Sequence, residues 1–323
     1  MYSRVAGTGS YIPAKVLSNA DLEQLVDTSD AWIRDRTGIQ RRHIAADGET
    51  TVDLAEHAAR AAIEASGWST ADIDFIAFGT TTPDLVFPNC GVLLQKRLGG
   101  AGYPAFALEA ACSGFLYALS IADKFVRAGA ARRALVVGAE TLSRIIDWSD
   151  RSTAVLFADG AGAVTLEPAE QPGILSTHLH ADGNYKDLLF CNGGVSAGFR
   201  ESRPGGPLMT VTMIGNEVFK MAVTKLSQLV QESLAANGLD KSQLDWLVPH
   251  QANLRIIQAT ARRLDLPMER VVVTVQEHGN TSAASVPLAL DTAVRDGRIQ
   301  RGELLLLEAF GGGFTWGSAL IRF

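Results

Sequence analysis

The chain has little cysteine and no apolar segment long enough for a membrane. Its 323 residues include only three cysteines, at Cys90, Cys112 and Cys191. An odd number of widely spaced cysteines excludes a disulfide framework. No apolar run approaches the roughly 20 residues needed to cross a bilayer, and residues 1–7 lack the apolar core of a signal peptide. We therefore expect a cytoplasmic protein that does not insert into a membrane.

An excess of positive charge is also absent. The 29 Lys and Arg residues against 35 Asp and Glu give a net charge of −6, which excludes the basic footprint of a nucleic-acid-binding protein. Residues 7–9 lack the third glycine and the following helix of a dinucleotide fingerprint. His178 and His180, two apart on a predicted strand, have no third metal ligand nearby. We expect no metal and no cofactor.

Each half of the sequence instead alternates short apolar strands with amphipathic helices. The first half predicts helices at 51–66 and 114–128 and strands at 73–79, 104–108 and 134–138. The second half predicts helices at 216–236 and 282–295 and strands at 246–248, 271–273 and 303–308. Continuous apolar strands joined by helices are typical of an α/β protein with a parallel sheet covered on both faces.

The two halves repeat each other. Residues 123–129 resemble residues 291–297 at an offset of 168, and the same offset carries Cys112 onto Asn280. We expect one half at 1–170, which carries the cysteine, and a second at 171–323, which carries His250 and Asn280. No flexible linker separates them, and the less regular segment at 171–207 is expected to run over the site.

Cys112, His250 and Asn280 are the candidate catalytic residues. Cys112 lies between an apolar strand and a helix, and a helix N-terminus favours the thiolate form of a nucleophile. His250 follows a buried strand, at the edge where α/β sheets hold ligands. The backbone N–H of Cys112 and that of Gly312, in a glycine-rich turn, are candidate donors to an oxyanion.

Each of these three residues has a plainer interpretation when taken alone. Cys112 is then an inert buried cysteine, His250 a structural histidine and Asn280 a turn residue or helix cap. The small residues around Cys112 and the duplicated framework favour catalysis for the set. Neutral donors from His250 and Asn280 suit an enolate that forms as carbon dioxide leaves. A cysteine peptidase, in which the asparagine orients the histidine, suits the pair less well.

On these motifs the chain resembles the β-ketoacyl-acyl-carrier-protein synthase III family of the thiolase-like superfamily. The matching segments are 111–115, 250–256 and 278–282, and the resemblance covers essentially the whole chain. It implies a thiolase-like fold with duplicated βαβαβ halves in five α-β-α-β-α layers. It also implies decarboxylative condensation of a short acyl-CoA with malonyl-acyl-carrier protein through an acyl-Cys112 intermediate, which initiates type II fatty-acid synthesis.

The resemblance further implies binding roles, with acyl-CoA as a substrate. Trp32 would stack on the adenine, Arg255 would meet the carrier protein, and Phe87 would cross a homodimer interface to close the partner's acyl pocket. The implied CoA-binding residues are Thr28, Trp32, Arg36, Arg151 and Asn253. In the helix that contains Arg255, Arg262 and Arg263 are further candidates for carrier-protein docking.

Residues 190–209 depart from the family pattern, which leaves the acyl-chain preference open. Two alternatives therefore stand beside the main hypothesis. One keeps the chemistry but uses a longer acyl primer in another lipid or signal pathway. The other is a non-catalytic relative that serves as a binding scaffold.

Overall fold

Two β-sheets and three layers of helices make up the framework of the computed structural model, which describes residues 1–199, 201, 204 and 208–323. The strands are β1 (Tyr2–Tyr11), β2 (Lys15–Ser18), β3 (Arg41–Ile44), β4 (Phe75–Gly79), β5 (Ala105–Leu108), β6 (Ala134–Thr141), β7 (Asp159–Ala169), β8 (Ile174–Ala181), β9 (Leu189–Cys191), β10 (Val211–Met213), β11 (Trp246–Pro249), β12 (Leu304–Gly311) and β13 (Thr315–Arg322). The helices are α1 (Asn19–Leu22), α2 (Asp30–Thr37), α3 (Thr51–Ala65), α4 (Cys90–Arg97), α5 (Gly114–Arg127), α6 (Arg151–Ala154), α7 (Gly215–Ala236), α8 (Leu254–Arg263), α9 (Val275–His278) and α10 (Ser285–Arg295).

The sheets are mixed, so the prediction of parallel sheets was wrong for part of each one. The five-stranded sheet has the order β1-β7-β6-β4-β5. In it β4 runs parallel to β5 and β6, whereas β7 runs antiparallel to β1 and β6. Burial on both faces makes these strands apolar throughout in either direction. The apolar pattern therefore could not reveal that β7 is reversed.

The second sheet repeats the first. Its order β11-β12-β13-β8 matches β4-β6-β7-β1 strand for strand. The predicted strand at 271–273 is reduced to one parallel bridge between Val271 and Leu247, in the place that β5 holds in the first sheet. The duplication seen in the sequence is therefore present in the arrangement of the strands.

The helices α5 and α10 form a central layer between the two sheets. Helix α5 contacts β4 and β6 on one side and β8 and β13 on the other, and α10 contacts β1 and β7 as well as β11 and β12. Helices α3 and α4 cover the outer face of the first sheet, and α7 covers that of the second. The five layers predicted from the family resemblance are confirmed.

Glycines allow the central helices to approach the sheet closely. A Cβ atom on Gly79, at the end of β4, would lie 2.5 Å from the backbone carbon of Gly114, the first residue of α5. A Cβ on Gly162 in β7 would lie 2.7 Å from Pro287 in α10. Tight packing therefore explains the glycine at 162.

The part of the second half that precedes α7 contains β8, β9 and β10. Strands β9 and β10 pair as a short hairpin-like ribbon beside the site. Within the segment 190–209, which departs from the family pattern, residues 200, 202, 203 and 205–207 lie outside the described residues. Across the residues that the structure describes, no helix is both long and apolar enough to span a membrane.

Candidate active site

Cys112 lies at the N-terminal end of the central helix α5. It occupies a single turn, Ala111–Ser113, that leads directly into the helix. Ala111 has a φ of 45°, in the left-handed region, and its N–H donates to the Glu109 carboxylate over 2.7 Å. The turn thus places the sulfur where the sequence predicted it, in front of the helix.

The glycine-rich turn after β12 lies against the backbone of Cys112. A Cβ atom on Gly311 would be 2.6 Å from the Cys112 nitrogen, so only glycine permits this approach. Gly312 follows and lines the cavity at the thiol. The structure therefore brings together the two backbone segments that the sequence suggested as oxyanion donors.

The Cys112 thiol is buried, which opposes the effect expected from the helix. Burial raises the pKa of Cys112 to about 12, the negative charge of Glu140 adds to this, and a hydrogen bond with Ser282 opposes it. The sequence pointed only to the helix N-terminus, which stabilises the thiolate. Burial depends on the whole fold, so the sequence pattern could not weigh the two effects.

These opposing effects predict the pH dependence of Cys112 alkylation in the free protein. With the pKa raised by burial, the thiolate fraction should increase about tenfold per pH unit between pH 7 and 9. The iodoacetamide rate at Cys112, followed by peptide mass spectrometry, should rise accordingly. A rate that levels off below pH 8 would mean that the helix dipole outweighs burial.

His250 follows β11 and is held at two points. Its backbone N–H donates to the Glu308 carbonyl over 2.7 Å, and its Nδ1 lies 2.5 Å from the Ser285 hydroxyl. The Ser285 oxygen also accepts the Gln251 N–H over 3.3 Å. Burial lowers the pKa of His250 to about 3. The imidazole is therefore neutral at neutral pH, and its Nε2 side is left for a ligand.

Asn280 is fixed by both its backbone and its side chain. Its N–H donates to the Leu156 carbonyl, and its own carbonyl accepts the Ala158 N–H, each over 2.9 Å. The Oδ1 atom accepts the Ser282 N–H over 2.9 Å. The amide oxygen is thus occupied, which orients the side chain with its NH₂ group as the remaining polar function.

Two cavities meet at Cys112. The entrance cavity, of about 340 Å³, brings Cys112, His250 and Asn280 together. The second cavity, of about 320 Å³, also includes Cys112 and is called the inner cavity. Its apolar lining residues are Leu142, Ile145, Phe157, Leu189, Phe190 and Val211. An entrance that holds the polar residues and an inner apolar pocket suit a substrate with a polar handle and an acyl chain.

The entrance cavity also contains most of the predicted binding residues. Trp32, Arg36, Arg151, Asn253 and Arg255 all line it. The Arg151 guanidinium carbon lies 4.8 Å from the centre of the Trp32 ring, and that of Arg36 lies 5.9 Å away. The Asn253 side-chain NH₂ donates to the Arg36 carbonyl over 3.0 Å, which ties α8 to α2.

Two predicted residues lie apart from both cavities. The Thr28 hydroxyl is buried and has no hydrogen-bond partner in the described part of the structure. Phe87 lies on the surface with 84% of its area exposed. Cys191 lines the inner cavity with Phe190, so the divergent segment borders the pocket.

The two histidines considered for a metal have a different partner. His178 and His180 both face the Glu232 carboxylate, at 3.5 Å and 2.8 Å. In the part of the chain that is described, no group of three or more potential ligands is placed to hold a metal ion.

Three residues lie at the site that the sequence patterns did not indicate. Ser282 and Ser285, which bond Cys112 and His250, follow Asn280 closely, and that short spacing from a candidate residue was the available signal. Glu140 is buried near the thiol, and only its position at the end of an apolar strand hinted at a role.

The fold and the site together define the class of the protein. Duplicated halves in five layers, with a buried cysteine, a neutral histidine and an asparagine at one cavity, are the features of a thiolase-like condensing enzyme. Comparisons with known proteins specify the family within this class.

Residues 106–183 match the sequence profile described as 3-oxoacyl-[acyl-carrier-protein] synthase III, and residues 234–323 match the profile of its C-terminal part. The chain is 66% identical to beta-ketoacyl-[acyl-carrier-protein] synthase III of Xanthomonas campestris pv. campestris over 323 residues, 100% of this chain and 99% of that protein. The chain belongs to the β-ketoacyl-acyl-carrier-protein synthase III family, whose members are condensing acyltransferases of fatty-acid biosynthesis.

Solved structures agree with the family. The 3-oxoacyl-[acyl-carrier-protein] synthase III of Aquifex aeolicus VF5 superposes with a TM-score of 0.92 at 44% identity, over 99% of this chain and 100% of that one. The corresponding enzyme of Pseudomonas aeruginosa PAO1 gives 0.93 at 42% identity, over 100% and 98%. The thiolase-like fold predicted from the sequence is confirmed.

Proposed function

We propose that the protein joins a short acyl-CoA to malonyl-acyl-carrier protein with loss of carbon dioxide, the reaction that initiates type II fatty-acid synthesis. One observation carries this proposal: a single cavity contains Cys112, His250 and Asn280 and opens past an aromatic and basic entrance. Its inner continuation is an apolar pocket that begins at the thiol. The arrangement fits a CoA thioester whose acyl chain passes beyond Cys112.

In the first step the Cys112 sulfur attacks the thioester carbonyl of the acyl-CoA. A new carbon–sulfur bond forms, the bond to the CoA sulfur breaks, and the proton of the Cys112 thiol ends on the released CoA. The backbone N–H groups of Cys112 and Gly312 would stabilise the oxyanion of the tetrahedral intermediate. Covalent catalysis divides one difficult reaction into two easier ones.

In the second step malonyl-carrier protein replaces CoA in the entrance. Its carbon–carboxylate bond breaks, carbon dioxide leaves, and the electron pair forms an enolate on the thioester. His250 through Nε2–H and Asn280 through Nδ2–H donate to the enolate oxygen. The enolate carbon then attacks the acyl-Cys112 carbonyl, and the departing thiolate takes up a proton.

Ser285 sets the state of His250 in this mechanism. Because its oxygen already accepts the Gln251 N–H, we assign its hydroxyl as a donor to the His250 Nδ1. The proton of the neutral imidazole then resides on Nε2, the atom that must donate to the enolate. Burial, which keeps His250 unprotonated, makes it a neutral donor over the working pH range.

The entrance residues suit CoA and an acidic carrier protein. In this proposal the adenine inserts between Trp32 and Arg151, which now contact each other, and Arg36 meets the CoA phosphates. Asn253 orders the same wall, and Arg255 lies exposed at its rim for the carrier protein. Thr28 is retained as a CoA residue only by family resemblance, since it does not line the entrance.

The experiment supplies the protein with CoA thioesters of two to eight carbons together with malonyl-carrier protein. Carrier-protein mass spectrometry should show a β-ketoacyl product that contains the primer and two further carbons. A product only with the longer thioesters would favour the alternative pathway. No product and no acyl-enzyme from a folded sample would contradict condensation and favour the scaffold.

We also propose that the protein is a homodimer. Among the strands that the structure describes, β5 pairs with β4 alone, which leaves its other edge available to a second copy. The nearby loop exposes Val86 and Phe87 by 71% and 84%, which is unusual for large apolar side chains in a monomer. Pairing of β5 strands across a twofold axis would cover both features.

The dimer predicts a strong effect of a charge at Phe87. Phe87→Asp should weaken self-association by about 30-fold or more, because buried aromatic residues dominate interface energies. Sedimentation velocity over a concentration series measures this. Val16→Asp, at an exposed apolar residue on β2, is the matched control and should remain dimeric. A wild-type protein that sediments as a monomer would contradict the proposal.

Three further points complete the proposal. The chain is divided at residues 170 and 171 into its two halves, as the membership of the two sheets supports. Acyl-CoA is a substrate, and the reaction needs no resident cofactor or metal. We place the protein in the cytoplasm, where CoA thioesters are made.

A further inference from the structure

Glu140 is a buried carboxylate whose hydrogen bonds all converge from one short segment. It lies near the end of β6 with no exposed area. Its oxygens accept from the Thr80 hydroxyl at 3.3 Å, the Thr81 N–H and hydroxyl at 3.1 Å and 2.9 Å, and the Thr82 hydroxyl at 2.6 Å. Within the described part of the chain, the hydrogen-bond partners of Glu140 are therefore three uncharged residues that follow one another in sequence.

The segment that Glu140 holds is a wall of the inner cavity. Thr81 lines that cavity together with Cys112, whereas Thr80 and Thr82 do not. Thr82 is tied further into the core, since its hydroxyl accepts the Thr141 N–H over 2.9 Å and its carbonyl accepts the Thr51 hydroxyl over 2.6 Å. The carboxylate thus fixes the backbone at the point where it meets the acyl pocket.

The same segment continues to the exposed loop with Phe87. Between Thr82 and α4, a hydrogen bond from the Val52 N–H to the Asp84 carboxylate, at 3.1 Å, is a second attachment. The loop beyond Asp84 projects outward, as the exposed areas of Leu85, Val86 and Phe87 show. Glu140 is therefore the inner attachment of a loop that reaches from the acyl pocket to the surface.

Burial of the Glu140 carboxylate destabilises the folded protein unless the hydrogen-bond donors around it stay in place. Burial raises the pKa of Glu140 to about 7, and the hydrogen bonds from Thr82, Thr81 and Thr80 act against that rise. A buried carboxylate without donors would be strongly destabilised, so Glu140 and the three threonines hold one another. Such a network favours one geometry and therefore fixes the position of Thr81 in the wall of the inner cavity.

We propose that Glu140 is a positioning residue that fixes Thr81 as a wall of the acyl pocket and thereby limits the length of the acyl primer. This inference rests on the proposed function, because it assigns the inner cavity to the acyl chain. Glu140 does not touch the substrate. It acts through the three-threonine segment, and loosening that segment enlarges the pocket.

The test compares primer selectivity in Glu140→Gln with that of the wild type. The NH₂ group of glutamine is a donor and replaces a carboxylate oxygen that accepts hydrogen bonds from the threonines. Donors then face donors, some of these hydrogen bonds are lost, and the segment is no longer held in one geometry. The ratio of kcat/KM for octanoyl-CoA to that for acetyl-CoA should rise about tenfold, because pocket shape discriminates chain lengths by factors of this order. The KM for malonyl-carrier protein should remain unchanged.

A pair of variants at Thr82 checks the inference while Glu140 and the residues that line the cavity keep their identities. Thr82→Val removes the hydroxyl that donates to Glu140 and should shift the primer ratio in the same direction. Thr82→Ser keeps the hydroxyl and should retain the wild-type ratio. This pair also serves if Glu140→Gln does not fold, as judged by thermal unfolding.

Asp123→Asn is the control for a structural effect alone. Asp123 is a fully buried carboxylate that accepts from the Ser3 hydroxyl at 2.6 Å, and it lies on α5 away from both cavities. This variant should lose stability and keep the wild-type primer ratio. An unchanged ratio in folded Glu140→Gln or Thr82→Val would overturn the inference. A wild type that forms no acyl-enzyme with any CoA thioester would instead overturn the proposed function.

Discussion

Replacing Cys112 with serine is expected to abolish the acyl-enzyme and to lower the condensation rate by about 10³-fold or more, as loss of a nucleophile does in other covalent enzymes. Cys112 lines both cavities, and the proposed mechanism makes its thiol the nucleophile; a hydroxyl in the same buried position is a far weaker nucleophile. Intact mass after mixing with an acyl-CoA gives the result directly. The wild type should gain one acyl group and Cys112→Ser none.

The chain supplies its own controls for this experiment. Cys90→Ser removes a buried cysteine on α4, and Cys191→Ser removes one that lines the inner cavity. Both variants should still gain the acyl group, although Cys191→Ser is expected to alter the order of preferred primers. Acylation that persists in Cys112→Ser and disappears in Cys191→Ser would show that the nucleophile has been misassigned.

Replacing His250 with alanine should separate the two steps of the reaction. Acylation of Cys112 should proceed, whereas condensation should fall by about 10²- to 10³-fold, the loss typical of an oxyanion donor. Asn280→Ala should give the same pattern, because in the proposed mechanism both side chains donate to the same enolate oxygen. Single-turnover acylation and steady-state product formation, measured on the same samples, distinguish the steps.

The histidine prediction has a matched control and a contrary outcome. His178→Ala removes a histidine on β8 that faces Glu232 on α7, and this variant should leave both steps intact. Because burial lowers the pKa of His250 to about 3, its protonation should not limit condensation between pH 6 and 8. Loss of acylation in His250→Ala would show that the imidazole also takes part in the first step.

Much of the fold was predictable because its elements repeat a simple pattern. The long helix at 216–236 and the helix at 51–66 are found within a residue of the predicted bounds, since their apolar periods are strong. The direction of β7 was not predictable, because a strand buried on both faces is equally apolar whether parallel or antiparallel. The segment at 271–273 has the composition of a strand, but only Val271 forms a bridge. Whether such a segment pairs along its length depends on tertiary contacts that the local sequence does not reveal.

The site was predictable at the level of residue types and not of their environment. Cys112, His250 and Asn280 follow strands or precede helices in matched halves, and the structure brings them to one cavity. Burial of the thiol depends on neighbours from several distant segments, among them Gly311 after β12 and Ser282 before α10. Their effects on a pKa are invisible to local sequence patterns.

The central helical layer separates how this protein captures substrates from how it transforms them. Cys112 and Asn280 precede α5 and α10, so two helix dipoles point towards one buried site, where burial keeps His250 neutral. In the proposed function, substrate binding depends instead on the guanidinium groups of Arg36, Arg151 and Arg255, which are exposed. Dissolved ions screen exposed charges and hardly reach a buried dipole. A change in ionic strength is therefore expected to change the rate of substrate binding and to leave the rates of the bond-forming steps unchanged.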